Sequence, residues 1–204
     1  MIYKEYLLLF ITGVSTVFSV SGCTLERNFE TEKQESAIII QSQGSRADVP
    51  YVATPPQVVD AMLKLAEVNS NDVVYDLGSG DGRIPITAVQ KYNARRAVGI
   101  EINPQLVQES LAKAQKAGVS DRVDFLEQNL FETDLKPATV VTLYLLPDVN
   151  FKLRPKLLKE LKPGTRIVSH SFDMGDWKAK RVIRVNATTL YLWVLPENVP
   201  ANLR

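Results

Sequence analysis

Residues 73–84 read Val-Val-Tyr-Asp-Leu-Gly-Ser-Gly-Asp-Gly-Arg-Ile. Two β-branched residues lead into an acid, Asp76, after which Gly78, Gly80 and Gly82 alternate with Ser79 and Asp81. Glycines at this spacing let backbone come close to a ligand. A strand running into such a loop is where open α/β sheets bind nucleotides. The dinucleotide fingerprint is G-x-G-x-x-G, with a pyrophosphate on the following helix N-terminus. The spacing here is one residue shorter, and the loop carries two carboxylates. Carboxylates repel a pyrophosphate and suit a ligand with a cationic end. Glu101 lies about 20 residues beyond the loop, at the end of the next apolar run, where a carboxylate accepts both hydroxyls of a ribose. Leu126-Glu127-Gln128-Asn129-Leu130 follows a third apolar run. The side-chain oxygen of Asn129 can accept from an adenine amino group, with Leu130 or Phe131 against the ring.

S-adenosylmethionine meets these requirements. It has no phosphate, and it carries an α-ammonium and a positive sulfonium. Asp76 or Asp81 would hold the ammonium, directly or through water, while the glycine loop approaches the amino-acid portion.

The elements that must position these residues alternate from Pro50 onward. Thr54-Pro55-Pro56 is a helix start, with Thr54 as cap and proline in the first turn. Val58, Val59, Met62, Leu63 and Ala66 recur at helical spacing. Residues 72–77 form a strand, and a helix follows over 82–92, with Pro85 tolerated in its first turn. Strands are expected over 96–102, 122–127, 139–146 and 165–171. A helix opens at Pro104 and closes at Ala117-Gly118. Another covers 148–161, with a kink or break at Pro155. Residues 181–185 and 188–195 flank Asn186-Ala187 as a terminal hairpin. The pattern is α/β: a mostly parallel sheet crossed over by helices, then an antiparallel pair.

Asp-Leu-Gly-Ser-Gly-Asp-Gly-Arg followed by Gly-Ile-Glu resembles the first two motifs of class I S-adenosylmethionine-dependent methyltransferases. The segments YVATPPQVVDAML, VTLYLLP, LKPGTRIVSH and MGDW extend the match across roughly residues 50–195. Together they resemble bacterial relatives of a mitochondrial protein-lysine methyltransferase family, whose members modify the ATP synthase c subunit and the adenine nucleotide translocase. The resemblance implies a Rossmann-like class I methyltransferase fold with a seven-stranded, mostly parallel sheet and a C-terminal antiparallel hairpin. It also implies S-adenosyl-L-methionine as cofactor. Asn129 stands where many class I enzymes have Asp, and it keeps an acceptor.

Tyr144, near the end of the fourth strand, is placed to position substrate. The resemblance folds the loop from Tyr51 to Pro55 over the cofactor or the substrate lysine, which makes Tyr51 and Thr54 candidates beside Tyr144. His170 sits at the carboxyl end of the fifth strand as a possible proton handler. Trp177 is a candidate aromatic wall of the substrate channel. No segment is long enough for a separate recognition domain, so the loops at 51–55 and 172–177 alone should cover the site.

Of 204 residues, 45% are hydrophobic and 23% charged, ordinary for a globular domain. A net charge of +1 gives no nucleic-acid footprint. A single Cys and a single His exclude a disulfide framework and a multi-Cys or His-rich metal site. Tyr6 to Val20 is nearly all apolar and uncharged, shorter than the about 20 residues of a full span. It ends in Val20-Ser21-Gly22-Cys23, which resembles a bacterial lipobox. Residues 1–23 therefore read as a lipoprotein signal or an uncleaved membrane anchor, and 24–48 as a flexible linker. Residues 49–204 are the methyltransferase domain.

The first reading is a membrane-tethered, monomeric protein-lysine methyltransferase acting on a membrane protein. It takes no metal and no nucleic-acid partner, and cofactor supply favours the cytoplasmic face. A small-molecule N- or O-methyltransferase, and a non-catalytic exported lipoprotein module retaining the fold, stand beside it.

Overall fold

A computed structural model describes residues 51–200 and 203. Residues 1–48, and with them the signal, anchor and linker readings, lie outside the described residues. No helix among the described residues is long and apolar enough to cross a membrane.

Strand and helix alternate in the expected order. The strands are β1 (Val73–Leu77), β2 (Arg96–Glu101), β3 (Val123–Glu127), β4 (Val140–Leu143), β5 (Arg166–His170), β6 (Arg181–Val185) and β7 (Thr188–Val194). They form one sheet in the order β3-β2-β1-β4-β5-β7-β6. The first five are parallel, and β7 runs antiparallel to both β5 and β6. Strand order reverses between β1 and β4, which is the switch point where such sheets bind ligands.

The two-residue period of the strands sorts the core onto two faces. Val74, Ala97, Val123, Val140 and Val168 pack on one side with α1 (Pro56–Leu65), α2 (Arg83–Gln90) and α3 (Pro104–Lys116). Val73, Tyr75, Leu77, Val141 and Ile167 face the other, against Val149, Leu153 and Leu157 of α4 (Pro147–Glu160). All five residues of β1 are buried, as a central strand covered on both faces requires.

Three local expectations change. Thr54 does not cap α1; Pro55 is the N-cap, and the threonine hydroxyl is used elsewhere. Helix α4 is assigned continuously through Pro155, so the expected break is absent. The fourth strand ends at Leu143, which leaves Tyr144 on the loop after it. By contrast α3 starts as the sequence implies. Asn103 accepts from the Gln105 amide through its side chain at 2.9 Å, and Pro104 takes the first turn.

Candidate cofactor and active site

A cavity of about 280 Å³ opens at the switch point. Among its lining residues are Asp76, Gly78, Ser79, Gly80, Asp81 and Glu101. Asn129, Leu130 and Phe131 line it from the β3 side, and Tyr51, Thr54 and Tyr144 complete it. The chain thus gathers at one place residues that are almost a hundred positions apart.

The glycine loop is held by its neighbours on β2. The amides of Gly78 and Ser79 both donate to the Ile100 carbonyl at 2.9 Å. Gly80 N–H donates to Glu101 Oε2 at 2.9 Å, while Ile102 and Asn103 N–H donate to Glu101 Oε1 at the same distance. A carboxylate offers about four acceptor positions. Three are taken by backbone, so one remains for a ribose hydroxyl, and the two-oxygen grip expected from sequence would require an amide to yield.

The glycines also have a role the sequence conceals. A Cβ on Gly78 would meet Leu145 Cδ2 at 2.8 Å, and one on Gly82 would meet Phe125 at 2.5 Å and Ser110 Cβ at 2.8 Å. Gly82 does not line the cavity. Its bareness serves packing against β3 and α3. Gly80 alone of the three lies beneath Tyr51, where a Cβ would come within 2.4 Å of the ring. Its φ of 53° adds a backbone penalty for any other residue. Gly80→Ala is expected to cost about 1–2 kcal/mol from the left-handed backbone, measured by chemical denaturation, and to displace the Tyr51 ring.

The two loop acids are electrostatically distinct. Asp81 receives Arg83 Nε and Nη2 at 2.7 Å each and Lys113 Nζ at 2.6 Å. Burial alone would raise its carboxyl, but these hydrogen bonds outweigh burial and hold it well below the usual carboxylate range. Asp76 has no cation paired with it among the described residues; its partner is the Thr142 hydroxyl, which donates at 2.6 Å. Burial pushes the Asp76 carboxyl up to about 7, and the nearby Glu101 and Asp81 charges add to the rise. A buried carboxylate without a cation is a ready partner for a cationic ligand group. This wall fits S-adenosylmethionine, and it separates Asp76 from the already neutralised Asp81.

The strap Tyr51–Thr54 crosses the cavity. Arg83 Nη1 donates to the Thr54 carbonyl at 2.8 Å, and Nη2 reaches the Tyr51 hydroxyl at 3.5 Å. Arg83 directly follows Asp81-Gly82 and carries no signal of its own in the glycine motif, yet its guanidinium joins loop to strap. Tyr144 stacks on His170 with ring centroids 3.7 Å apart and planes 21° apart. Thr54 Oγ1 and His170 Nδ1 share a hydrogen bond at 3.2 Å.

Other candidates move. His170 is buried behind Tyr144 and does not line the cavity, and burial pushes its imidazole down to about 4, so it is neutral near pH 7. That disfavours proton handling. Trp177 packs in the core against Trp193 with centroids 6.0 Å apart, and its carbonyl accepts from Trp193 Nε1. It forms no channel wall, and nothing from the 172–177 loop lines the cavity. Asn129 Oδ1 accepts from the Phe131 amide at 3.0 Å, which closes the turn after β3 and commits part of the expected adenine acceptor. The Ser79 hydroxyl is buried without a hydrogen bond and lies close to where a Cβ on Gly99 would stand, 2.7 Å away.

A sheet of this order, with an acid-bearing glycine loop at its switch point, defines a class I S-adenosylmethionine-dependent methyltransferase. Residues 76–181 match the ANTKMT methyltransferase domain, and the chain belongs to that family. A protein-lysine N-methyltransferase of Saccharolobus islandicus (strain REY15A) is 51% identical over 154 residues, spanning 74% of this chain and 96% of that protein. The adenine nucleotide translocase lysine N-methyltransferase of Mus musculus is 36% identical over 138 residues, covering 68% of this chain and 59% of the mouse protein. A crystal structure of an RNA methyltransferase from Salinibacter ruber, in complex with S-adenosyl-L-homocysteine, superposes with a TM-score of 0.73 at 54% identity. It covers 75% of this chain and 99% of that one. The cofactor of the chain is S-adenosyl-L-methionine.

Proposed function

We propose that the chain is a protein-lysine N-methyltransferase. The observation that carries this reading is the 51% identity to the Saccharolobus protein-lysine enzyme over nearly all of that protein's length. The site is consistent with it. When bound, S-adenosylmethionine supplies an electrophilic methyl carbon and leaves as the thioether S-adenosylhomocysteine. Asp76 would hold the α-ammonium, Glu101 would orient a ribose hydroxyl, and Leu130 and Phe131 would flank the adenine. A lysine nitrogen would form its new bond to that methyl carbon as the carbon–sulfur bond broke. The amine must first shed a proton, against an ordinary pKa of about 10.4. Desolvation between the strap and Tyr144 lowers that value, so the proton leaves to water without a dedicated base. Tyr144 and Thr54 direct the nitrogen lone pair, and Tyr51 helps exclude competing water.

The RNA methyltransferase likeness favours a second acceptor class, and the test separates them. The purified full chain is incubated with methyl-labelled S-adenosylmethionine and host membranes, soluble protein and RNA. Label recovered on lysine is the expected result; label confined to RNA or to extractable metabolites overturns it. The N-terminal 23 residues, read as a tether, would raise the effective concentration of a membrane-protein acceptor. Cys23→Ser should abolish a lipid-dependent mobility shift if they are a lipoprotein signal, and leave mobility unchanged if they are an uncleaved anchor.

A further inference from the structure

We propose that His170 is a positioning residue that sets both the aromatic wall and the strap of the acceptor site. Its ring is the platform on which Tyr144 lies, 3.7 Å between centroids, and its Nδ1 is the pin for Thr54. The inference deepens the lysine reading and rests on it only for the acceptor arm.

Three observations converge on this side chain. Tyr144 and Thr54 line the cavity while His170 stands behind them, so the histidine acts through its neighbours and not on the reacting atoms. Thr54 is itself buried and held at both ends, its hydroxyl at His170 and its carbonyl at Arg83. Arg83 is in turn anchored on Asp81 of the glycine loop. The strap is therefore fastened to β5 by one hydrogen bond and to the cofactor loop by another. Tyr144, which follows β4, leans on the same β5 residue. A shift of His170 moves the wall and the strap together, and the strap–wall gap is where an acceptor amine would enter.

The two functions of the ring can be uncoupled. His170→Phe keeps a flat ring under Tyr144 and removes the pin. His170→Asn keeps a polar atom close to the position of Nδ1 and removes the platform. Thr54→Val removes the hydroxyl at nearly constant shape, and Thr54→Ser restores it. Strap opening is read in the full chain by the rate at which chymotrypsin releases the fragment that begins at Val52. That rate follows the population of the open strap when closing is fast.

His170→Phe and Thr54→Val should each accelerate this cleavage roughly fivefold, the worth of one buried hydrogen bond. The double variant should open no further than either single change, and Thr54→Ser should cleave like the unaltered chain. His170→Asn should leave cleavage unchanged and raise KM for a poly-lysine peptide about tenfold, with kcat within about twofold. Unaltered cleavage in both pin variants, additive effects in the double variant, or failure of Thr54→Ser to restore closure overturns the proposal. Equal losses of kcat and KM effect in every variant, tracking melting temperature, would do the same. Absence of lysine transfer by the unaltered chain would remove the lysine reading, and the cleavage arm would still decide the pin.

Discussion

Asp76→Asn is expected to weaken S-adenosylmethionine binding about 100-fold while making the cofactor-free protein more stable above neutral pH. The two halves of that result have one cause. The carboxyl is buried in the cavity wall, bonded to the Thr142 hydroxyl and without a paired cation among the described residues, and burial raises it to about 7. Its folded value therefore lies above its unfolded one. Between about pH 4 and 7 the folded chain holds a proton that the unfolded chain has lost, so this group's stabilising contribution is complete below about pH 4 and is lost as pH rises through 7. The loss amounts to roughly 4 kcal/mol. Asparagine keeps an acceptor for Thr142 and removes the titration, which flattens the decline. An ammonium favours the ionised form, so cofactor affinity of the unaltered chain should rise as pH increases through 7. Calorimetry across pH 5.5–8.5, with thermal melts of the cofactor-free proteins, checks both halves. Undiminished affinity in the variant would detach Asp76 from the ligand.

Glu101→Ala should produce the opposite signature, losing stability and affinity together. The side chain accepts three backbone amides, from Gly80, Ile102 and Asn103, and is buried. Truncation leaves those donors without their carboxylate. At about 1 kcal/mol each the cost is about 3 kcal/mol, and melting falls roughly 6–12 °C. Because Gly80 is one of the three, the loop that faces the ligand loosens as well. Saturating cofactor should recover only part of the loss. Glu101→Gln keeps one acceptor oxygen for Ile102 and Asn103 and offers an NH₂ to Gly80, so it should fall between the two. Calorimetric affinity and denaturation midpoints distinguish this pattern from a surface carboxylate, whose removal would change melting by under a degree.

Much of this arrangement is legible in the residue order. Period-two apolar runs, Pro104 after Asn103, and Asn186-Ala187 between two β-branched runs are local signals, and each names its element because the cause is local. Asp76 and Glu101 are legible for a related reason: an open sheet delivers the ends of adjacent parallel strands to one edge. What escapes is contact across long separations. Nothing near Thr54 announces that its hydroxyl meets His170, which lies 116 positions away. A threonine before two prolines looks like a cap, and only the packed chain reveals the competing partner. Trp177 packs in the core against Trp193, and an aromatic in a loop reads alike in sequence whether it faces a channel or a core. The glycines show a subtler limit. Their alternation marks a close approach, but not that Leu145, Phe125 and Tyr51 are what approach.

Tyr51 is 49% exposed and stands on the rim of the cavity. A label carried at the Tyr51 side-chain position would therefore stand at the mouth of the cavity. A bulky label there should obstruct broad acceptors before slender ones, so the size of the label will itself filter which molecules can be tested.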